Sequence, residues 1–232
     1  MKINYPRVIT MNNPSQNLSK TLEIAATEAV MWKEHTYYDQ AESWLSEDYP
    51  VLIEPLIKDC DFSVVIDLAA GHGRNSNLLK TKANKIIVVD IHQENIDFCK
   101  KRFAGDDTFE FLINDGVTLK EIADNSVTLV YSWDAMVHFD SDVVRSYISE
   151  FSRVLKPGGK GLCHHSNYDK TPGGWFQYNP HARNFMTANL FAHYCAKEGL
   201  KVLHSQVINW GKDDNLVKEM DCITLFEKPL NC

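Results

Sequence analysis

Between residues 61 and 166 the chain alternates short apolar runs with stretches in which apolar residues return every three or four positions. The runs 63–67, 85–90, 109–113, 127–132 and 160–166 have the length and continuity of buried strands. A helix is predicted to start near Arg74, and the next carries Ile96, Cys99 and Phe103 on one face. A short helix is expected over 118–123. A longer one, with Ser141 as its N-cap, spaces Val144, Tyr147, Ile148, Phe151 and Leu155 for a core. Lys156-Pro157-Gly158-Gly159 reads as its stop signal. Buried strands alternating with helices predict a doubly wound α/β fold, a mostly parallel sheet with helices on both faces.

The flanks read differently. Residues 1–18 look like a loose arm, and 22–60 look helical, with Tyr38, Ala41, Trp44 and Leu45 on one face. Val51, Leu52, Leu56 and Ile57 continue that pattern. Its aromatics, Trp32, Tyr37, Tyr38 and Trp44, suit packing onto the domain or a lid over a ligand. Residues 1–60 are therefore expected to be an arm and helical cap, and 61–232 the domain proper. Within that domain, 168–187 is rich in Pro, Gly, Asn and aromatics and reads as an insert. A helix over 188–197 and strands over 200–210 and 221–228 follow.

A chain of 232 residues can bury the core of one α/β domain. A net charge of −7 without a long basic run argues against nucleic-acid binding. The six cysteines are scattered and form no Cys-x-x-Cys pair, which points to reduced thiols in the cytoplasm. The N-terminus has no apolar signal core and no run is long enough for a membrane span. A homodimer remains open.

The most informative stretch is Val64 to Asn75, reading Val-Val-Ile-Asp-Leu-Ala-Ala-Gly-His-Gly-Arg-Asn. It is a strand ending near Asp67, a turn of small residues and a helix start, the arrangement that cradles a nucleotide-like ligand. The acid suits a cationic ligand better than a pyrophosphate. The stretch resembles the first motif of class I S-adenosylmethionine (SAM)-dependent methyltransferases, Asp/Glu-x-Gly-x-Gly-x-Gly, with Ala69 at the first glycine and Gly71 and Gly73 at the others. Asp90 ends the second strand, 23 positions after Asp67, where an acid can accept ribose hydroxyls. Asn114-Asp115-Gly116 ends the third, and Ser132-Trp133-Asp134 the fourth.

The resemblance implies a seven-stranded sheet with an antiparallel last strand, an N-terminal helical cap, and SAM as cofactor with S-adenosylhomocysteine as product. It implies a cofactor set of Asp67, Ala69, Gly71, Gly73, Arg74, Asp90, Ile91, Asn114, Asp115, Gly116, Ser132 and Trp133. The Gly-Arg-Asn-Ser turn is similar to the tellurite and thiopurine methyltransferase branch, in which Arg74 would fork onto the SAM carboxylate. For proton transfer the candidates are His165, His138 and His164; strand alternation lets only one of His164 and His165 face the pocket. In the insert, Arg183 is a candidate for an anionic group and Tyr178 or Phe185 for stacking. No metal set is expected, since His164, His165 and His181 lack ligand spacing. The expected activity is methyl transfer to an oxygen or nitrogen of a small-molecule acceptor: a sugar, a nucleotide-linked metabolite or a natural-product intermediate. Protein or RNA methylation, a non-catalytic SAM-binding module and an NAD-binding oxidoreductase are the alternatives.

Overall fold

The sheet has seven strands: β1 (Val65–Leu68), β2 (Ile86–Asp90), β3 (Phe109–Ile113), β4 (Val127–Ser132), β5 (Leu155–Ser166), β6 (Lys201–Trp210) and β7 (Val217–Glu227). The structure, a computed structural model, describes residues 14–33 and 37–230. The spatial order is β3-β2-β1-β4-β5-β7-β6. All neighbours from β3 to β5 pair parallel, and β7 alone runs against its two neighbours. β1 pairs with β2 on one side and β4 on the other, so the winding reverses beside it. An open α/β sheet parts its connections there and leaves a crevice at the carboxyl ends of the strands.

Successive residues of the central strands feed opposite faces. Ile66, Ile87, Val89 and Val130 enter one apolar cluster, while Val65, Ile86, Val88, Leu129 and Tyr131 enter the other. The first cluster is covered by α6 (Ser141–Val154) and α7 (Ala188–Lys197), with Ala25 of α1 (Pro14–Ala29) against it. The second packs against α4 (Arg74–Leu79), α5 (Gln93–Arg102) and α3 (Glu54–Ile57). Burial on both sides is why these strands read as continuous apolar runs; each fully buried Val, Ile or Leu stabilises the fold by about 1.5–3 kcal/mol.

Several local expectations change. Residues 1–13 of the expected arm, and Cys232, lie outside the described residues. The rest of that arm is helical, because α1 already begins at Pro14, a residue suited to a first helical position. In α2 (Tyr37–Asp48), Ala41 and Leu45 are buried as expected but Trp44 is 41% exposed. A π-helical turn (Tyr49–Ile53) then widens the helix, leaving Val51 72% exposed and sending Ile53 and Ile57 inward. Asp140, not Ser141, caps α6: its carboxylate accepts from the Asp142 N–H at 2.8 Å. No helix forms over 118–123. The Asp115 carboxylate takes the Val117 and Thr118 N–H groups at 3.0 and 2.6 Å, and Glu150 takes that of Leu119 at 2.6 Å, so side chains satisfy donors a helix would have used. Lys156-Pro157-Gly158-Gly159 belongs to β5, which starts at Leu155 across a register shift against β4. Among the described residues no helix is long and apolar enough to cross a membrane.

Candidate active site

A crevice opens where β1, β2, β3 and β4 end. Its larger chamber, about 770 Å3 counted out to the mouth, is floored by Leu68, Ala69, Asp90, Ile91, Asn114 and Gly116. Its roof is the helical cap, through Ala25, Glu28, Ala29 and Trp32. A smaller chamber of about 360 Å3 adjoins it over Gly71, Arg74 and Trp133. Tyr37, Tyr38, Ala69 and Asp134 line both.

The turn after β1 is shaped by backbone demands. Ala69 holds φ +54° and Gly71 φ +57°. The Gly71 N–H donates to Asp90 Oδ2 at 2.9 Å, clipping the turn to the end of β2. Asp90 Oδ1 accepts from the His92 N–H at 2.9 Å and from Asn95 Nδ2 at 3.1 Å. One acceptor direction of the carboxylate is left for a ligand. Gly73 serves packing rather than the crevice: a Cβ there would lie 2.8 Å from the Phe103 ring and 3.0 Å from Cys99 Sγ.

The carboxylates carry the electrostatic signature. Burial pushes the Asp67 carboxyl up to about 7, only partly offset by the Ser76 hydroxyl that donates to Oδ2 at 2.6 Å. Burial likewise raises Asp90. Asp134, also buried, is held below its ordinary value because Arg74, then Arg183, outweigh the burial. Asp67 Oδ1 and Asp134 Oδ1 are buried and receive no hydrogen bond. Asp134 Oδ1, which has Arg183 Nη2 at 3.8 Å but no hydrogen bond, lines both chambers and fits a ligand bearing a positive charge and N–H donors.

Behind the crevice runs a buried ionic lattice. Asp134 sits at φ +56° with its N–H donating to His164 Nδ1 at 3.2 Å. Its carboxylate accepts from Arg74 Nη2 at 2.9 Å and from the Tyr37 hydroxyl. His164 Nε2 lies 3.1 Å from Asp221 Oδ2, and Arg183 grips both Asp221 oxygens, Nε at 2.9 Å and Nη2 at 2.7 Å. With Nδ1 accepting, His164 carries its proton on Nε2 and donates it to Asp221, so both ring nitrogens are engaged within the protein.

The structure brings part of the expected set together. Ala69, Gly71, Arg74, Asp90, Ile91, Asn114, Gly116, Trp133 and His138 line the two chambers. Asp67 and Ser132 lie behind the lining, with Ser132 Oγ donating to the Leu68 carbonyl at 3.2 Å. Asp115 is turned into its own loop. The Arg74 fork is engaged within the protein, by the Ala41 carbonyl at 2.7 Å and by Asp134. His165 is not brought to the crevice. It stacks on Phe191 with 4.0 Å between ring centroids, and its nitrogens bond the Ser166 carbonyl and the Thr224 hydroxyl, each at 2.9 Å. Burial takes its pKa down to about 4. Neither of the paired histidines therefore faces the chambers. Arg183 is occupied by Asp221 and Tyr178 is 88% exposed, so neither forms the cradle expected in the insert.

Of the three candidate histidines His138 is the one that lines the larger chamber, where His92 is also part of the wall. His138 Nδ1 lies 2.8 Å from the Ala182 carbonyl and so bears the proton, leaving Nε2 as a lone pair. Burial first, then Arg183, lowers its pKa to about 3, which makes it a neutral acceptor at working pH. Sequence reasoning missed Glu28, Tyr37 as a partner of Asp134, and Asp221. Glu28 left one trace: it falls three positions after Ala25, on the apolar side of α1.

Residues 65–159 match the family model of a methyltransferase domain. A methyltransferase of Claviceps purpurea is 30% identical over 102 residues, covering 44% of this chain and 31% of that protein. A demethylmenaquinone methyltransferase of Clavibacter sepedonicus is 32% identical over 98 residues, 41% of this chain and 38% of that one. This chain therefore matches well under half the length of these relatives. Among solved structures, the geranyl diphosphate C-methyltransferase of Streptomyces coelicolor superposes with a TM-score of 0.63 at 15% identity, over 84% of this chain and 86% of that one.

Proposed function

From a chain that carries a domain of the class I SAM-dependent methyltransferase family, with its Rossmann-like fold, we propose an enzyme that moves a methyl group from SAM to an oxygen or nitrogen of a small-molecule acceptor. The observation that carries this reading is Asp134 Oδ1, buried without a hydrogen bond in the lining of both chambers, beside a glycine turn clipped to Asp90. SAM supplies a sulfonium-activated methyl group together with an ammonium, a carboxylate and two ribose hydroxyls; the carboxylate would lie in the smaller chamber, whose lining includes Arg74. Asp90 would accept from a ribose hydroxyl, Asp134 would offset the positive charge, and Ile91, Asn114 and Gly116 would flank the base.

The chain's own work would be positioning and exclusion of water. Trp32, Tyr37 and Tyr38 close the cap over the strand ends. Tyr38 donates to the Trp32 carbonyl at 3.1 Å and accepts from Asn95 Nδ2 at 3.1 Å, tying the cap to the start of α5. His138 Nε2 offers an acceptor that would orient the proton of an incoming hydroxyl or amine. A chamber roofed by the aromatic cap supports a small acceptor over a protein or RNA side chain. The Streptomyces coelicolor structure was solved with Mg2+, geranyl diphosphate and S-adenosylhomocysteine. Among the described residues of this chain no cluster suits a metal ion.

Calorimetry with SAM and S-adenosylhomocysteine, and NAD as control, tests the proposal. Micromolar binding of the first two and none of NAD is expected. Asp90→Ala should weaken both by about 1–3 kcal/mol, through lost charge-assisted hydrogen bonds; unchanged affinity would reject the assignment of Asp90.

A further inference from the structure

The larger chamber is lined by three carboxyl groups, Glu28, Asp90 and Asp134, and among the described residues by no lysine or arginine. The two nearest arginines are spent. Arg74 bonds the Ala41 carbonyl and Asp134; Arg183 bonds both Asp221 oxygens and, through Nη1, the His181 carbonyl at 3.0 Å. A phosphate or carboxylate entering this chamber would meet carboxyl groups with no guanidinium or ammonium to answer it.

The end of the chamber away from the glycine turn is built as a unit. Glu28 is 6% exposed. Its Oε2 accepts from the Asp140 N–H at 3.0 Å, and its Oε1 from Asn184 Nδ2 at 2.5 Å. The same Asn184 Nδ2 donates to the His138 carbonyl at 3.1 Å, so Asn184 joins Glu28 to the segment that carries the imidazole. The Trp32 ring lies 4.2 Å from the His138 ring, between centroids, and closes the same end. Glu28 and His138 thus line the chamber together with the apolar Trp32, Phe139 and Val143. We propose that this end is the acceptor subsite and that it takes a ring-bearing compound with a hydroxyl or amine donor and no anionic group, with Glu28 and His138 Nε2 receiving its donors and Trp32 covering its ring. The inference rests on the reading of the crevice as a SAM site. It removes phosphorylated and nucleotide-linked acceptors from the candidates. Burial raises Glu28 to about 8, so the group can accept from a neutral hydroxyl or lose its proton to become the counterion of an amine.

Three size-matched probes test this: tyrosol, tyramine and 4-hydroxyphenylacetate, which are neutral, cationic and anionic. Each is titrated by calorimetry into the full chain saturated with S-adenosylhomocysteine. Tyrosol and tyramine are expected to bind, with 4-hydroxyphenylacetate at least tenfold weaker. Tyramine binding near pH 7 should release a proton, read from the dependence of the heat on buffer ionisation, and Glu28→Gln should abolish that release. Trp32→Ala should weaken tyrosol and tyramine alike. Binding of 4-hydroxyphenylacetate as tight as that of tyrosol, or no binding of any probe to the loaded protein, would overturn the proposal. Failure of S-adenosylhomocysteine itself to bind would sink the cofactor reading and this subsite with it.

Discussion

Gly71 is where the cap and the turn after β1 touch, and Gly71→Ala measures that contact. The residue holds φ +57°, and a Cβ there would lie 2.5 and 2.8 Å from Cε1 and Cδ1 of Tyr38. The left-handed conformation alone costs an alanine about 1–2 kcal/mol. The overlap must also push the Tyr38 ring away, losing its hydrogen bonds to Asn95 and the Trp32 carbonyl. At about 0.5–1.5 kcal/mol each, these bring the total to about 2–5 kcal/mol. In a Tyr38→Ala background the ring is gone and only the conformational part remains, so the same substitution should cost about 1–2 kcal/mol. Urea unfolding of the four proteins of this cycle, followed by tryptophan fluorescence, gives the coupling directly. Equal costs in the two backgrounds would refute the claim that Tyr38 rests on this glycine.

Other perturbations separate scaffold from site. Arg183→Ala strands the Asp221 carboxylate without its main partner and should cost about 3–5 kcal/mol in urea unfolding; Asp221→Asn added to it should recover part of that loss. His165→Ala should destabilise by about 3–5 kcal/mol, as loss of a buried aromatic does, yet leave S-adenosylhomocysteine affinity within about twofold, since the ring lies away from the crevice. The pH dependence has a definite sign. Glu28 and Asp67 rise in the folded state from 4.5 and 3.8 to about 8 and 7, so their protonated forms favour folding below pH 4 and that contribution fades as pH rises toward 8. Asp134 and Asp221 are depressed, so their contribution is present above the unfolded carboxylate range and is lost only as pH falls through their folded values. His138 and His165, depressed from 6.5 to about 3 and 4, add stability as pH rises toward 6.5 and oppose the carboxyl loss below that point. The urea midpoint should therefore fall between pH 6.5 and pH 8, and a midpoint that climbs over that window would contradict the burial assigned to Glu28 and Asp67.

The parts of the molecule legible in the sequence are those governed by near neighbours. β3, β4 and α7 have the expected boundaries because each is a periodic run between clear breakers. Asp67, the glycine turn and Asp90 announce themselves because strand, turn and strand end lie within 24 residues of one another. Where local rules compete, the reading failed: the loop after Asp115 satisfies its donors with side chains instead of a helix, and the π turn at Tyr49–Ile53 shifts which residues of the cap face inward.

The polar surround of the crevice was illegible for a different reason. Its groups are assembled by contacts that no spacing records: Glu28 with Asn184, 156 positions apart, Tyr37 with Asp134, 97 apart, and His164 with Asp221, 57 apart. The register of β5 against β7, which sets Ser166 opposite Asp221, brings that aspartate alongside His164. Once there, Asp221 claims both Arg183 and His164, the residues that looked freest to meet a substrate. A polar cluster in a sequence advertises its charges, but only the fold decides which are neutralised by one another. Here the cations are consumed in the scaffold, so the chamber presents carboxyl acceptors instead of the positive charge that Arg74 and Arg183 suggest.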